Sequence, residues 1–231
     1  MSKYTTILFD ADDTLFDFKR SEHEAVKDCL TLVGLPTEDE IIEKYSEINK
    51  SYWKMLERGE ITKKDLFIAR WKTFLDHYEL YNADAELIAN HYLTQLSQKC
   101  YLLDGALELC QRLSEKFRLY IVTNGYARVQ HGRFDNSVLR QYFENMFISE
   151  EMGAEKPSIE YFNAVFSRIP DFDKEKSIII GDSLSSDIKG GIVAGIDTCW
   201  YNPKGQPVPD NMNITYVIND LNEIDNIVFK V

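Results

Sequence analysis

An apolar run, Tyr4-Thr5-Thr6-Ile7-Leu8-Phe9, passes without a break into Asp10-Ala11-Asp12-Asp13-Thr14. A β-branched run of that length, uninterrupted by charge, reads as a strand buried on both faces, the usual state in a parallel sheet. Its C-terminal end then carries three carboxylates where open α/β sheets bind their ligands. Side chains alternate along extended backbone, so Asp10 and Asp12 are expected to point the same way. Like charges that close repel unless a cation or a shared proton relieves them. Taken alone, the triplet also fits a loop whose aspartates cap the next helix.

The rest of the chain favours the first reading. From about Asp17 to Lys99 the periodicity is helical. Ala25, Val26, Cys29, Leu30 and Val33 form one apolar stripe, closed by Gly34 at a helix C-terminus. Ile41, Ile42, Tyr45, Ile48, Tyr52 and Met55 form a second. Gly59 lies in the turn before Thr62, an N-cap for a helix carrying Leu66, Phe67, Arg70, Trp71 and Phe74. A fourth helix fits Ala85 to Gln98. Strand–helix alternation resumes after Leu103, with strands expected at Arg118–Asn124, Asn145–Ser149, Lys176–Asp182, Thr198–Asn202 and Thr215–Ile218. Helices fit between them at Gly105–Lys116, Arg128–Leu139, Ser158–Arg168 and Ser185–Ala194. The fold class is therefore α/β: a doubly wound, Rossmann-like parallel sheet over residues 1–16 and 100–231, with a four-helix domain inserted at 17–99.

Charge narrows the partners. A net charge of −12 opposes binding to a nucleic-acid polymer or an anionic membrane, and an anionic substrate must be held by local positive groups or a metal. No apolar run reaches the roughly 20 residues that span a bilayer. The N-terminus enters the first strand with no basic segment or apolar leader, which predicts a cytoplasmic protein. Cys29, Cys100, Cys110 and Cys199 are scattered, as reduced core thiols are, and the four histidines show no metal-ligand spacing.

Four elements end in polar residues at the expected C-terminal edge of the sheet: Asp10 with Asp12, Thr123-Asn124-Gly125, Lys156-Pro157, and Gly181-Asp182-Ser183 with Asp187 beyond it. Pro157 suits the first turn of a helix, placing Lys156 at that helix's positive end. Singly, these are a strand-end hydroxyl, a solvated lysine and ordinary turns. Together, in order and each at a strand's end, they make a site. Asp10, Asp12 and Asp182 offer hard oxygen ligands without Cys or His, which suits Mg²⁺ rather than Zn²⁺. Lys156, the Thr123 hydroxyl and loop N–H groups offer donors to a tetrahedral oxyanion. The combination fits phosphoryl transfer with a carboxylate nucleophile and a second group to move the proton, for which Asp12 is placed.

The order D-x-D-x-T, strand-end Thr, Lys-Pro, G-D-x-x-x-x-D resembles the haloacid dehalogenase-like hydrolase superfamily, over nearly the whole chain. The resemblance implies Asp10 as nucleophile and Asp12 as general acid and base. It implies Thr123, with Asn124, and Lys156 as phosphate-binding residues, and Asp182 as the third Mg²⁺ contact beside the Asp10 carboxylate and the Asp12 backbone carbonyl. Asp187 is similar to a supporting carboxylate that orients Lys156 and metal waters, and Ser183, following Asp182, is a supporting residue of the same kind. Asp13 departs from the usual glycine of D-x-D-G-T, as a branch with 5′-nucleotidase activity does. The helical insert is similar to the family's four-helix cap, whose turn around Arg58, Gly59 and Glu60 would contribute specificity. Thr123-Asn124-Gly125-Tyr126, Ile148-Ser149-Glu150-Glu151 and the Gly181–Trp200 stretch look most like the house-cleaning pyrimidine 5′-nucleotidases. The implied substrate is a small phosphorylated metabolite such as a nucleoside monophosphate. The family's dehalogenases lack the second carboxylate, so Asp12 with Asp182 argues against them. A phosphatase or phosphomutase acting on sugar phosphates keeps both, and a non-catalytic binding module would be expected to have lost one of the four charged positions.

Overall fold

The structure, a computed structural model, describes residues 2–229. The outermost positions of the expected core segments (1, 230 and 231) lie outside the described residues. The chain forms two compact units, Met1–Asp17 with Tyr101–Val231, and Phe18–Cys100.

In the first unit the apolar runs become strands β1 (Thr6–Phe9), β2 (Arg118–Thr123), β3 (Asn145–Ile148), β4 (Ser177–Gly181), β5 (Asp197–Tyr201) and β6 (Tyr216–Ile218). They pair in parallel in the order β3-β2-β1-β4-β5-β6. This is the expected doubly wound sheet. The chain winds outward from β1 to β3, then crosses over and winds outward again from β4 to β6. The connections on either side of the β1–β4 pair thus run to opposite halves of the sheet, which opens a crevice at the C-terminal ends of those two strands. The register sets Phe9 opposite both Ile121 and Ile180, so the loops after β1, β2 and β4 leave the sheet at one level.

The central strands are buried on both faces. On one face Leu8, Tyr120, Val122, Phe147 and Ile179 pack with Tyr161, Phe162 and Val165. On the other, Phe9 meets Phe143 edge-on, and Phe143 meets Phe134.

The helices in chain order are α1 (Phe18–Leu32), α2 (Asp39–Glu57), α3 (Lys63–His77), α4 (Ala85–Ser97), α5 (Ala106–Ser114), α6 (Ala127–Asp135), α7 (Ser149–Met152), α8 (Ile159–Phe166), α9 (Lys189–Ala194) and α10 (Ile224–Val228). Helices α7 and α10 were not expected from the sequence, and three expected helices differ from their reading. The expected 128–139 helix stops at Asp135, because the Ser137 hydroxyl accepts the Leu139 N–H at 3.1 Å and starts a separate 3₁₀ turn. Helix α8 starts after Ser158, whose hydroxyl caps the Tyr161 N–H, so Pro157 precedes the helix rather than opening it. The expected 185–194 helix is a π-turn over Leu184–Ile188 followed by α9, with Ile188 N–H reaching back to the Ser183 carbonyl. Single π-turns of this kind recur at functional sites.

The second unit is built from α1 to α4. Tyr45, Trp71, Phe74 and Tyr92 form its aromatic centre, with the Tyr45 and Trp71 rings 4.0 Å apart. Thr62 and Asp65 form a reciprocal capping box at the start of α3, satisfying two N–H groups that the helix leaves without partners. Buried Asn49 donates to Glu22 at 2.6 Å and accepts from Arg70 at 2.7 Å, so one amide joins two buried charges of opposite sign. Among the described residues, no helix is long and apolar enough to cross a membrane.

Candidate active site

Four polar side chains meet at the β1–β4 crevice. Asp10 follows β1 directly, and its N–H is tied to the Ile180 carbonyl at 2.9 Å. Lys156 lies between α7 and α8, and its ammonium is sealed from solvent. It donates to Asp10 Oδ1 at 2.6 Å, to Asp187 Oδ1 at 2.6 Å and to the Val122 carbonyl at 2.7 Å, which uses all three of its donors. Burial acts to lower its pKa, but Asp10 and Asp187 outweigh burial and raise it, so the ammonium stays charged.

Asp182 follows β4 and is fixed through its backbone. Its N–H bonds the Thr14 hydroxyl at 3.1 Å, and its carbonyl accepts from Trp200 Nε1 at 2.9 Å. Carboxylate oxygens of Asp10, Asp182 and Asp187 all lie within 4.8 Å of one another. Burial, then Asp187, push the Asp10 carboxyl up to about 7 against the pull of Lys156. Burial, then Asp10 and Asp187, push Asp182 up to about 9.

Two glycines make this packing possible. A Cβ on Gly181 would sit 2.3 Å from Asp187 Oδ2, so only glycine lets that side chain fold back over the strand end to Lys156 and the Ser183 N–H. A Cβ on Gly125 would sit 2.1 Å from Gln130 Nε2. Gln130 passes over Gly125 to reach Asp12 Oδ2 at 2.7 Å.

The sequence-predicted residues therefore divide into groups. Asp10, Lys156, Asp182 and Asp187 are brought together. Thr123 lies at the end of β2, its hydroxyl accepting the Gly125 N–H at 3.1 Å. Asn124 binds both sides of the Lys156 main chain, donating to its carbonyl at 2.8 Å and accepting its N–H at 2.9 Å. Ser183 donates its N–H to Asp187 Oδ2 at 3.0 Å, and its hydroxyl oxygen accepts the Ser186 N–H at 3.3 Å. The Asp12 carboxylate is engaged separately from the Lys156 group: Arg133 Nη1 donates to its Oδ1 and Gln130 to its Oδ2. Arg58, Gly59 and Glu60 form the exposed turn between α2 and α3 in the helical unit. The Arg58 guanidinium there pairs with both Glu60 oxygens, at 2.8 Å for Nη2–Oε2.

Sequence reasoning missed Thr14 as a tie to Asp182, and Arg133 with Gln130 as partners of Asp12. A signal for the last pair was present. Val129, Gln130, Arg133 and Phe134 are the buried residues of α6, and two polar groups on a buried face need a polar partner.

The sequence pattern of the haloacid dehalogenase-like hydrolases matches residues 4–195. The HAD-hydrolase YfnB of Bacillus subtilis is 40% identical over 228 residues, covering 99% of this chain and 97% of YfnB. A crystal structure of YfnB bound to magnesium superposes with a TM-score of 0.92, over 97% of this chain and 98% of that one. Pyrimidine 5′-nucleotidase PynA of Streptococcus pneumoniae is 38% identical over 87% of this chain and 84% of its own length. Pyrimidine 5′-nucleotidase YjjG of Escherichia coli is 28% identical over 99% of both chains.

Proposed function

The chain belongs to the haloacid dehalogenase-like hydrolases, and on that footing we propose that it is a cytoplasmic, Mg²⁺-dependent phosphomonoesterase, specifically a 5′-nucleotidase for nucleoside monophosphates. The observation that carries this reading is the charge imbalance at the β1–β4 crevice. Three carboxylates crowd against one buried ammonium, so full ionisation would leave an excess of two negative charges. A divalent cation matches that excess, and all-oxygen donors fit Mg²⁺. Both Asp187 oxygens are engaged, Oδ1 by Lys156 and Oδ2 by the Ser183 N–H, whereas Lys156 takes only Oδ1 of Asp10, so Asp10 and Asp182 are the carboxylates better placed to hold the ion, with the Asp12 backbone carbonyl. When bound, Mg²⁺ would supply positive charge to the substrate's phosphoryl oxygens and favour ionised Asp10.

The residues then divide the reaction. Lys156, exchanging one of its present acceptors for a substrate oxygen, and the Thr123 hydroxyl hold the phosphoryl group, and Asn124 fixes the main chain of Lys156. An Asp10 carboxylate oxygen attacks phosphorus while the bond to the ester oxygen breaks. Asp12 gives its proton to that oxygen, and the alcohol departs. Asp12, now ionised, takes a proton from water. The water oxygen attacks phosphorus, the bond to Asp10 breaks, and inorganic phosphate leaves with both aspartates restored. Asp187 keeps Lys156 aimed at the nucleophile.

The domain division, 1–16 with 100–231 as core and 17–99 as cap, is part of this proposal. The cap is assigned the choice of leaving group, through Arg58, Gly59 and Glu60. Nucleotides as substrates are supported by the likeness to PynA and YjjG. The net charge of −12 supports a small phosphate held locally rather than a nucleic-acid polymer or a membrane.

The test is turnover on a panel of nucleoside monophosphates and sugar phosphates, with Mg²⁺ and with chelator. The reading expects hydrolysis that chelation silences, fastest on pyrimidine nucleotides. Chelator-resistant hydrolysis would remove the metal, and a preference for sugar phosphates would remove the nucleotidase assignment.

A further inference from the structure

We propose that Arg133 and Gln130 form a clamp that presets the Asp12 carboxylate for proton transfer, making both of them positioning residues for the reaction. The inference rests on the reading of Asp12 as general acid and base, and extends it to two residues one turn apart on α6.

The geometry is two-pronged. Arg133 Nη1 donates to Asp12 Oδ1, and Gln130 Nε2 donates to Oδ2 at 2.7 Å. Each prong is itself held. The Arg133 side chain is fully buried, and its guanidinium lies 4.8 Å from the centre of the Phe16 ring. Gln130 is 2% exposed and crosses Gly125, where a Cβ would block it. Asp12 is the more open partner, with 26% of its side chain accessible. Two rigid donors therefore set the orientation of a carboxylate that faces the solvent side.

The chemistry needs that arrangement. A carboxylate has about four acceptor positions, and the clamp uses two, leaving others to carry and receive a proton. A group that donates to the leaving oxygen and then accepts from water has to stay in place between the two half-reactions. A displacement of 1 Å is enough to cost on the order of 100-fold in rate. Burying an arginine is costly unless its charge is paired, and Asp12 supplies that pairing. The Lys156–Asp10–Asp187 group is separate, so the clamp fixes the acid–base residue without drawing on the phosphate-holding cation.

The test uses the dependence of kcat/KM on the leaving group, since p-nitrophenolate departs without a proton and a nucleoside does not. Arg133→Met keeps the side-chain length under Phe16 and removes the charged prong. It should lower kcat/KM for a nucleoside 5′-monophosphate on the order of 10- to 100-fold, with a clearly smaller loss for p-nitrophenyl phosphate. Arg133→Lys, which keeps the charge but not the planar fork, should recover part of the difference. If Arg133→Met does not fold by circular dichroism, Gln130→Met must show the same selective loss. Equal losses on both esters in folded protein, or no loss, overturn the clamp. Asp12→Asn separates the two levels. If it is selective for the poor leaving group while the clamp variants are not, the clamp alone fails. If it is not selective, the acid role of Asp12 fails and the clamp fails with it.

Discussion

At the scale of single residues, the site is a set of buried charges that folding alone does not balance. Asp10 and Asp182 have pKa values pushed up to about 7 and about 9, mainly by burial. A carboxyl that holds its proton more tightly folded than unfolded contributes stability below its unfolded value near 3.8 and loses it as pH rises through the folded value. The chelated protein should therefore lose thermal stability between about pH 4 and about pH 9. Mg²⁺ should restore it most at the alkaline end, and Asp182→Asn should flatten the pH dependence. Thermal midpoints across pH, with and without Mg²⁺, check this, and an unchanged slope in Asp182→Asn would show that the crowding is relieved some other way. Asp10 and Asp182 were legible because each directly follows an apolar strand, whereas Lys156 lies between α7 and α8 and was legible from its Lys-Pro step rather than from a strand end. The pairing of Asp12 with Arg133 was legible only in part: sharing a face with Val129 and Phe134 marks Arg133 as needing a polar partner, but nothing in a linear reading names residue 12 as that partner. Asp13 has φ 57, a left-handed conformation that Asp tolerates better than most residues, so it can stand where the family usually has glycine.

At the scale of elements, one local plan occurs twice. A buried strand ends, a glycine follows or closes it, and the next helical segment sends a polar side chain back over that glycine into the crevice. Gly125 serves Gln130 in this way and Gly181 serves Asp187. Gly181→Ala should displace Asp187 from Lys156, lowering kcat on every phosphate ester and stability by about 1–3 kcal/mol. Gly125→Ala should act through Asp12 and fall hardest on esters with poor leaving groups. Comparing the two variants on nucleotide and aryl phosphates checks the plan, and identical profiles would contradict it. The strands and their parallel order were readable from the apolar runs, with ends shifted by a residue or two. Gly59, with φ 71, and Thr62 with its capping box fixed the turn between α2 and α3 as read. Among the misread helix ends, Ser137 restarted the chain as a separate turn where apolar periodicity alone would have continued the helix, while Ser158 and Ser183 cap segments whose starts were read within a residue.

At the scale of the whole molecule, sheet order explains why the chemistry sits where it does. Winding outward from β1 and again from β4 opens one crevice, and the polar ends of β1, β2 and β4 border it. The helical unit has its own aromatic core and a polar relay from Glu22 to Arg70, as a separately packed domain should. Its Arg58–Glu60 turn is exposed and internally paired, so Arg58→Ala also releases Glu60. If that turn selects nucleotides, Arg58→Ala should shift the ratio of kcat/KM between nucleoside monophosphates and sugar phosphates more than it changes p-nitrophenyl phosphate turnover. A uniform loss would assign the turn to the folding of the helical unit instead. The central claim is a phosphoryl group carried on Asp10, and acid-quenching the enzyme during turnover of a nucleoside monophosphate tests it directly. Mass spectrometry of the tryptic peptide Tyr4–Lys19 should show one added phosphoryl group on Asp10, absent in Asp10→Asn and absent under chelation. Full turnover by Asp10→Asn, or a phosphoryl group on any other residue of the working enzyme, would contradict the account.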